Sequence, residues 1–161
     1  MRILIFALLF LVPITGSCNV NLGTLPWPLA VEGESPDPRV RWGELENGFR
    51  YALLPTASEP GKAALRLFVF AGSSHEGDGE QGFAHFVEHM AFNGSERFDS
   101  ESLRRFFELN DLAFGPDAGA SVNPERTEYM LDFSEANLAK IEKGLTFFQD
   151  VTRSLKFDPE E

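Results

Sequence analysis

The sequence predicts an α+β domain, in which an antiparallel-type sheet is backed by helices. An Asn-Gly dipeptide at 47–48 lies between strand-like runs at 40–44 and 49–54, which is a strong hairpin pattern. Apolar residues alternate with mostly polar ones over 127–133, which indicates a half-buried strand. From 138 to 151, apolar residues recur at helical spacing and indicate an amphipathic helix.

The remaining elements follow from local patterns. The apolar run at 63–71 predicts a central strand, and the Gly-rich acidic loop at 72–82 leads to a helix over 83–92. A second helix begins near Asp99 or Ser100, a further strand precedes residue 127, and Ser134 is expected to cap the last helix. The apolar stripes of the second and last helices are Leu103, Phe106 and Phe107, and Leu138, Ile141, Leu145, Phe148 and Val151.

Residues 1–18 are typical of an export signal. The apolar run at 3–12 is too short to span a bilayer but suits a signal-peptide core. Cys18 follows small residues, as in the lipobox of bacterial lipoproteins, although Thr15 stands where Leu is usual. We therefore expect Cys18 to be lipidated and the protein to lie in the periplasm, anchored to the outer membrane; plain secretion is the alternative. Residues 19–38 form a Pro-rich tether, and 39–161 form the domain.

The overall charge excludes one class of partner. The formal net charge of −11 repels phosphate backbones, so we expect no nucleic-acid binding. Membrane contact is expected through the lipid anchor alone. With a single cysteine, the chain cannot form an intrachain disulfide.

The motif His85-Phe86-Val87-Glu88-His89 carries the chemistry. At about 100° per residue, its two histidines and its glutamate fall on one helix face. Two His one turn apart can bind one tetrahedral Zn²⁺, and a Glu beside the metal can accept a proton from its water. The alternative is a helix with two solvated His and an incidental Glu. The opposite, apolar face, expected to pack against the sheet, consists of Phe83, Phe86, Val87 and Met90.

Two stretches, LENGFRYALLP and AGSSHEGDGEQGFAHFVEHMAFNGSERF, resemble the pitrilysin/insulinase (M16) metallopeptidases, which include the mitochondrial processing peptidase. The resemblance implies a half-domain of that fold, with His85 and His89 as zinc ligands and Glu88 as general base. It also implies one Zn²⁺ per site and zinc-dependent endopeptidase hydrolysis of peptides. A second homologous half, on the remainder of the chain or on a partner subunit, would close around the substrate.

The resemblance also implies a third zinc ligand, a Glu on the helix that follows the last loop. Its expected place is just beyond Glu161, so the chain looks truncated at its C-terminus. Residues 158–161, Asp-Pro-Glu-Glu, match a helix start with a capping-box pattern better than they match the ligand. A lipid-anchored zinc- or peptide-binding protein without turnover is the alternative function, because two His and water bind zinc weakly.

The substrate-pairing strand departs from the family pattern. The family shows Asn-Ala-x-Thr, whereas Gly119 and Val122 occupy the Asn and Thr places here. Gly119, Ala120 and Ser121 are therefore candidates for main-chain contacts with a peptide. Outside this strand and the motif, His75 is a surface histidine or a ligand. Glu76 and Glu80 either orient a His or are solvated loop acids.

Overall fold

The computed structural model describes the backbone of residues 2–9 and all of residues 35–157. Three predicted features lie outside the described residues: the lipidation of Cys18, most of the 19–38 tether and the acidic pair at 160–161. The strands are β1 Arg2–Leu9, β2 Arg41–Glu44, β3 Arg50–Thr56, β4 Ala63–Val69, β5 Ala118–Val122 and β6 Thr127–Phe133. The helices are α1 Phe83–Asn93, α2 Ser100–Leu109 and α3 Leu138–Val151, and Ser73–His75 forms a short 3₁₀ turn.

The strands form a six-stranded sheet in the order β2-β3-β1-β4-β6-β5. Every pair is antiparallel except β1 and β4, which run parallel. The Asn-Gly hairpin forms as predicted, with Glu44 opposite Arg50 and Gly48 at a φ of 81°. The predicted α+β class with an antiparallel-type sheet is confirmed. Because β5 ends the order, it lies at one edge of the sheet.

Strand β1 is the part of the sheet that the sequence patterns did not predict. Arg2–Leu9 pairs along its length with β3 on one side and β4 on the other. A run of apolar residues suits both a signal-peptide core and a fully buried central strand. Local pattern therefore does not separate the two roles. Export processing before Cys18 stays a prediction.

One face of the sheet carries the core. The alternate residues of β4 and β6 that face the helices are buried, including Leu65, Leu67, Leu131 and Phe133. The alternation of β6 is as predicted, with a strictly alternating burial pattern. Helix α3 approaches the sheet closely at Gly144, where an added Cβ would lie 3.1 Å from both Leu65 Cδ2 and Leu131 Cδ1. On the other face, Arg66 of β4 and Asp132 of β6 form a bidentate ion pair with distances of 2.7 and 2.8 Å.

The helix caps agree with prediction at α2 and differ at α3. Asp99 caps α2, accepting a hydrogen bond from Ser102 N at 2.7 Å. The cap of α3 is Asn137, whose side chain accepts from Lys140 N at 3.0 Å, so the prediction of Ser134 was wrong. Asn and Ser are comparable caps, but Ala136 donates its N–H to Gly61 O at 2.6 Å and packs against the core, so the helix begins after it. No helix in the described ranges combines the length and apolar character needed to cross a bilayer.

Candidate metal centre

Helix α1 brings the three motif side chains together. One ligand atom from each of His85, Glu88 and His89 lies within 4.8 Å of the others. The Nε2 atoms of the two histidines are 3.0 Å apart, and Glu88 Oε2 is 3.8 Å from His85 Nε2. The predicted convergence on one helix face is therefore present.

The spacing of the two imidazoles suits a divalent cation. Two ring nitrogens at a tetrahedral zinc, with Zn–N distances of about 2.0–2.1 Å, lie about 3.3 Å apart. The observed 3.0 Å between the Nε2 atoms differs from this by a few tenths of an ångström, which side-chain rotation supplies. Two ring nitrogens at this distance repel through their lone pairs unless a proton or a metal cation lies between them. The donor set thus fits a zinc ion.

The three side chains differ in exposure. The side chain of His85 is 67% exposed, whereas that of Glu88 is 10% exposed. Tyr129 of β6 is buried close to the Glu88 carboxylate. Burial raises the pKa of the Tyr129 hydroxyl, and the negative charge of Glu88 raises it further, so the phenol stays protonated. The histidines therefore face open space while the acid sits at the boundary with the core.

The orientation of α1 on the sheet differs from the predicted one. Phe83 and Phe86 are 58% and 54% exposed, Val87 is 38% exposed, and of the predicted apolar face Met90 alone is buried. The buried line of the helix instead runs through Glu88 and Ala91, with the half-buried Ala84 and Phe92 beside it. Phe92 packs there against Phe107, Tyr129 and Phe147, so this aromatic side chain reaches the core and those of Phe83 and Phe86 do not.

The segment before α1 holds the start of the helix. The N-cap residue, Gly82, has a left-handed conformation with φ 95° and carries no side chain that could cap. Glu76 takes this role from the preceding loop: its Oε2 accepts from Gly82 N and its Oε1 from Ala84 N, both at 2.9 Å. The hydrogen bond from Ala84, then that from Gly82, lowers the pKa of Glu76.

Comparison with known proteins identifies the family. A family model described as "Insulinase (Peptidase family M16)" matches residues 51–161. The chain belongs to the M16 peptidase family. A curated relative described as "Probable zinc protease PqqL" from Haemophilus influenzae is 33% identical over 125 residues, which cover 78% of this chain and 14% of the relative. The protein of that name from Escherichia coli is 31% identical over 134 residues, covering 83% and 14%.

Solved structures agree with this assignment. The crystal structure of the periplasmic protease PqqL from Escherichia coli matches with a TM-score of 0.73 and 30% identity, over 78% of this chain and 14% of that one. The structure of the first half of the same protease matches with a TM-score of 0.73 and 31% identity, covering 78% of this chain and 27% of that one. This M16 chain therefore spans a small part of the length of the proteins it resembles.

The loop before α1 holds the remaining candidates of the M16 chain, His75, Glu76 and Glu80. None of them has a hydrogen bond to the cluster of His85, Glu88 and His89 among the described residues. His75 Nδ1 accepts a hydrogen bond from Gly72 N at 3.3 Å, within its own 3₁₀ turn. Glu80 Oε2 accepts from Gly77 N at 2.9 Å. Neither Glu76 nor Glu80 has a hydrogen bond to a motif histidine among the described residues, so of the two alternatives the direct orientation of a His is not observed. Glu76 instead acts on the backbone of the helix that carries them.

A second acidic residue joins the segment after α1 to the end of α3. Asp150 has a fully buried side chain; it accepts from Ser95 Oγ at 2.6 Å and from Arg97 Nε at 2.6 Å. Next to it, residues 94–96 and 154–156 pair as two short antiparallel segments. Helical periodicity did not single out Asp150, because a lone acid among apolar residues has no local signature. Its role depends on contacts across 55 residues of chain.

The candidate peptide-contact residues lie on the edge strand beside α1. Gly119, Ala120 and Ser121 belong to β5, which contacts α1 and pairs with β6 on one side. Gly119 is buried, Ala120 is half-buried and Ser121 is exposed. Among the described residues, no further strand pairs with the outer edge of β5, although Phe114 in the preceding loop forms a bridge to Ala118. The edge and the metal cluster are thus neighbours.

Proposed function

We propose that this M16 chain carries the metal-binding and proton-transfer residues of a zinc-dependent endopeptidase. The observation that carries the proposal is the cluster of His85, Glu88 and His89, with one ligand atom from each within 4.8 Å of the others. Family membership and relatives described as probable zinc proteases support it.

Each residue of the cluster has a chemical role in the proposal. His85 and His89 would hold one zinc ion through their Nε2 atoms. When bound, zinc polarises the scissile carbonyl and lowers the pKa of its water to about 7. A carboxylate oxygen of Glu88 accepts a proton from the attacking water and returns it to the nitrogen of the leaving amine. The geometry supports this role, because Glu88 Oε2 lies 3.8 Å from His85 Nε2, next to the place where the two histidines would hold the ion.

A third ligand and a second M16 half complete the proposed enzyme. The path of the chain supports a ligand from the segment that follows Phe157. This phenylalanine stacks on Phe86 of α1 with ring centroids 6.3 Å apart. Lys156 N also donates to Gly94 O at 3.1 Å, next to the end of α1. The last described residues therefore lie beside α1, the helix that carries the two histidines.

The proposed substrates are peptides that add to the outer edge of β5. Residues 119–121 offer main-chain groups there, and a peptide strand could pair with them without side-chain selectivity. The small side chains of Gly119 and Ala120 support this, since they present little bulk to a chain that pairs at this edge. The peptide would then pass next to α1, where the metal cluster lies.

We also propose export to the periplasm with a lipid on Cys18. The likeness to the periplasmic protease PqqL from Escherichia coli supports the location. Cleavage before Cys18 would remove Arg2–Leu9, so the processed chain would lack the strand that lies between β3 and β4. Intact-mass measurement of the membrane fraction distinguishes the two forms. A mass beginning at a diacylated Cys18 supports processing, and a mass that retains Met1 contradicts it.

The proposed function is tested by Glu88→Gln in the whole protein. This change preserves the shape of the side chain but removes its capacity to accept a proton, so we expect zinc content to be unchanged and kcat to fall by about 10²–10⁴-fold. Activity is measured with a quenched peptide, with and without a chelator. The matched control is Glu80→Gln, which removes the same charge from a loop residue without a contact to the cluster. Full activity in Glu88→Gln, or chelator-resistant cleavage by the parent, would contradict the proposal.

A further inference from the structure

Helix α1, the metal helix that carries His85 and His89, begins without a side-chain cap of its own. Gly82 is the N-cap residue, and its left-handed conformation suits glycine rather than Ser, Thr, Asp or Asn. The first turn of a helix leaves backbone N–H groups without an intrahelical partner, and such turns open readily. His85 is the third residue of α1, so one of the two candidate ligands lies in this turn.

The other candidate ligand lies one turn deeper. His89 is in the middle of the helix, where the backbone is held on both sides. Opening of the first turn would therefore move His85 while leaving His89 in place. The 3.0 Å separation of their Nε2 atoms, on which shared binding of one ion depends, would be lost.

We propose that Glu76 is a positioning residue for the metal site, because its carboxylate closes the first turn of α1 and so fixes His85 relative to His89. Each oxygen takes one backbone donor: Oε2 accepts from Gly82 N and Oε1 from Ala84 N, both at 2.9 Å. Ala84 directly precedes His85. A negative charge at a helix N-terminus also interacts favourably with the helix dipole.

This role differs from direct orientation of a ligand. Glu76 has no hydrogen bond or ion pair with either imidazole among the described residues, and its effect passes through the helix backbone. It also differs from a general effect of loop charge. Glu80 lies in the same loop and carries the same charge, but its carboxylate accepts from Gly77 N and touches no backbone group of α1. The chain therefore contains its own matched control.

The inference rests on the proposed zinc site. The test distinguishes failure of the positioning role of Glu76 from failure of the zinc site itself. The zinc affinity of the whole protein is measured by competition with a chromophoric chelator, for the parent and for Glu76→Ala, Glu76→Gln and Glu80→Gln. We expect Glu76→Ala to weaken zinc binding by roughly tenfold, the lower end of the effect of losing an outer-shell partner. Glu76→Gln keeps one acceptor oxygen and should fall between Glu76→Ala and the parent. Glu80→Gln should match the parent.

Two further measurements exclude a merely structural effect. Thermal unfolding of the metal-free variants reports whether the domain is intact, and the absorption spectrum of the Co²⁺-substituted protein reports the ligand geometry. A folded Glu76→Ala protein with zinc affinity within about twofold of the parent would overturn the inference. Equal weakening by Glu76→Gln and Glu80→Gln would also overturn it, in favour of a charge effect. A parent that binds no zinc would instead refute the proposed function.

Discussion

Replacement of Asp150 tests how the end of α3 is joined to the segment after the metal helix. The Asp150 side chain is 0% exposed and accepts from Ser95 Oγ at 2.6 Å, from Arg97 N at 3.2 Å and from Arg97 Nε at 2.6 Å. Asp150→Ala removes all of these acceptors at once. Ser95 is itself buried, so its hydroxyl loses a partner that water does not readily replace.

The expected loss follows from these contacts. Removing one partner of a buried ion pair costs about 3–5 kcal/mol, but the side chain of Arg97 is 42% exposed and regains water. We therefore expect Asp150→Ala to lower the free energy of unfolding by about 3 kcal/mol. Asp150→Asn keeps one acceptor and the side-chain shape, and should cost about 2 kcal/mol. Urea denaturation with linear extrapolation measures both losses.

The exposed pair of Arg104 and Glu108 provides the control. Both side chains are more than half exposed, at 59% and 60%, so Glu108→Ala should change the free energy of unfolding by less than about 0.5 kcal/mol. If Asp150→Ala costs no more than Glu108→Ala, the reasoning from burial and hydrogen bonding is refuted. A change in the slope of the unfolding free energy against urea concentration would indicate a changed unfolded state instead.

The contribution of Asp150 also has a defined pH dependence. Burial alone would raise the pKa of Asp150, but hydrogen bonds from Arg97 and Ser95 outweigh it and hold the pKa below its ordinary value. A carboxyl with a lowered folded-state pKa stabilises the fold above its unfolded pKa of about 3.9, and this stabilisation is lost as the pH falls through the folded value. The difference between parent and Asp150→Asn should therefore be constant near neutral pH and shrink in acid. A difference that grows in acid would contradict the assigned direction.

Alanine substitutions at two glycines should lower the free energy of unfolding by different amounts, which urea denaturation measures. In Gly72→Ala the new Cβ would overlap the backbone oxygen of Asn123 and lie 2.7 Å from Arg126 N, so we expect a loss above about 3 kcal/mol; a loss below 1 kcal/mol would contradict the close approach. In Gly144→Ala the Cβ would meet the ends of Leu65 and Leu131 at 3.1 Å, and better helix propensity offsets part of the crowding. A net loss of about 1 kcal/mol is expected, and a loss as large as that of Gly72→Ala would show that these side chains cannot move.

Local sequence pattern was sufficient to predict several features of the fold, because those features depend only on residues that are neighbours in sequence. The Asn-Gly hairpin, the alternation of β6 and the Asp99 cap of α2 each follow from a few adjacent residues. The convergence of the motif side chains follows from helix geometry alone, since residues three and four apart share a face. These features do not depend on what the element packs against.

The sequence by itself therefore determined the α+β class, the hairpin and the grouping of His85, Glu88 and His89 on one helix face. The tertiary structure decided which side of α1 is buried, where the cap of α3 lies and that Arg2–Leu9 pairs within the sheet. It also decided the contacts of Glu76 and Asp150, which join segments that no periodicity relates. The physical reason is that close packing and burial of charge depend on the approach of distant segments, which local spacing does not encode.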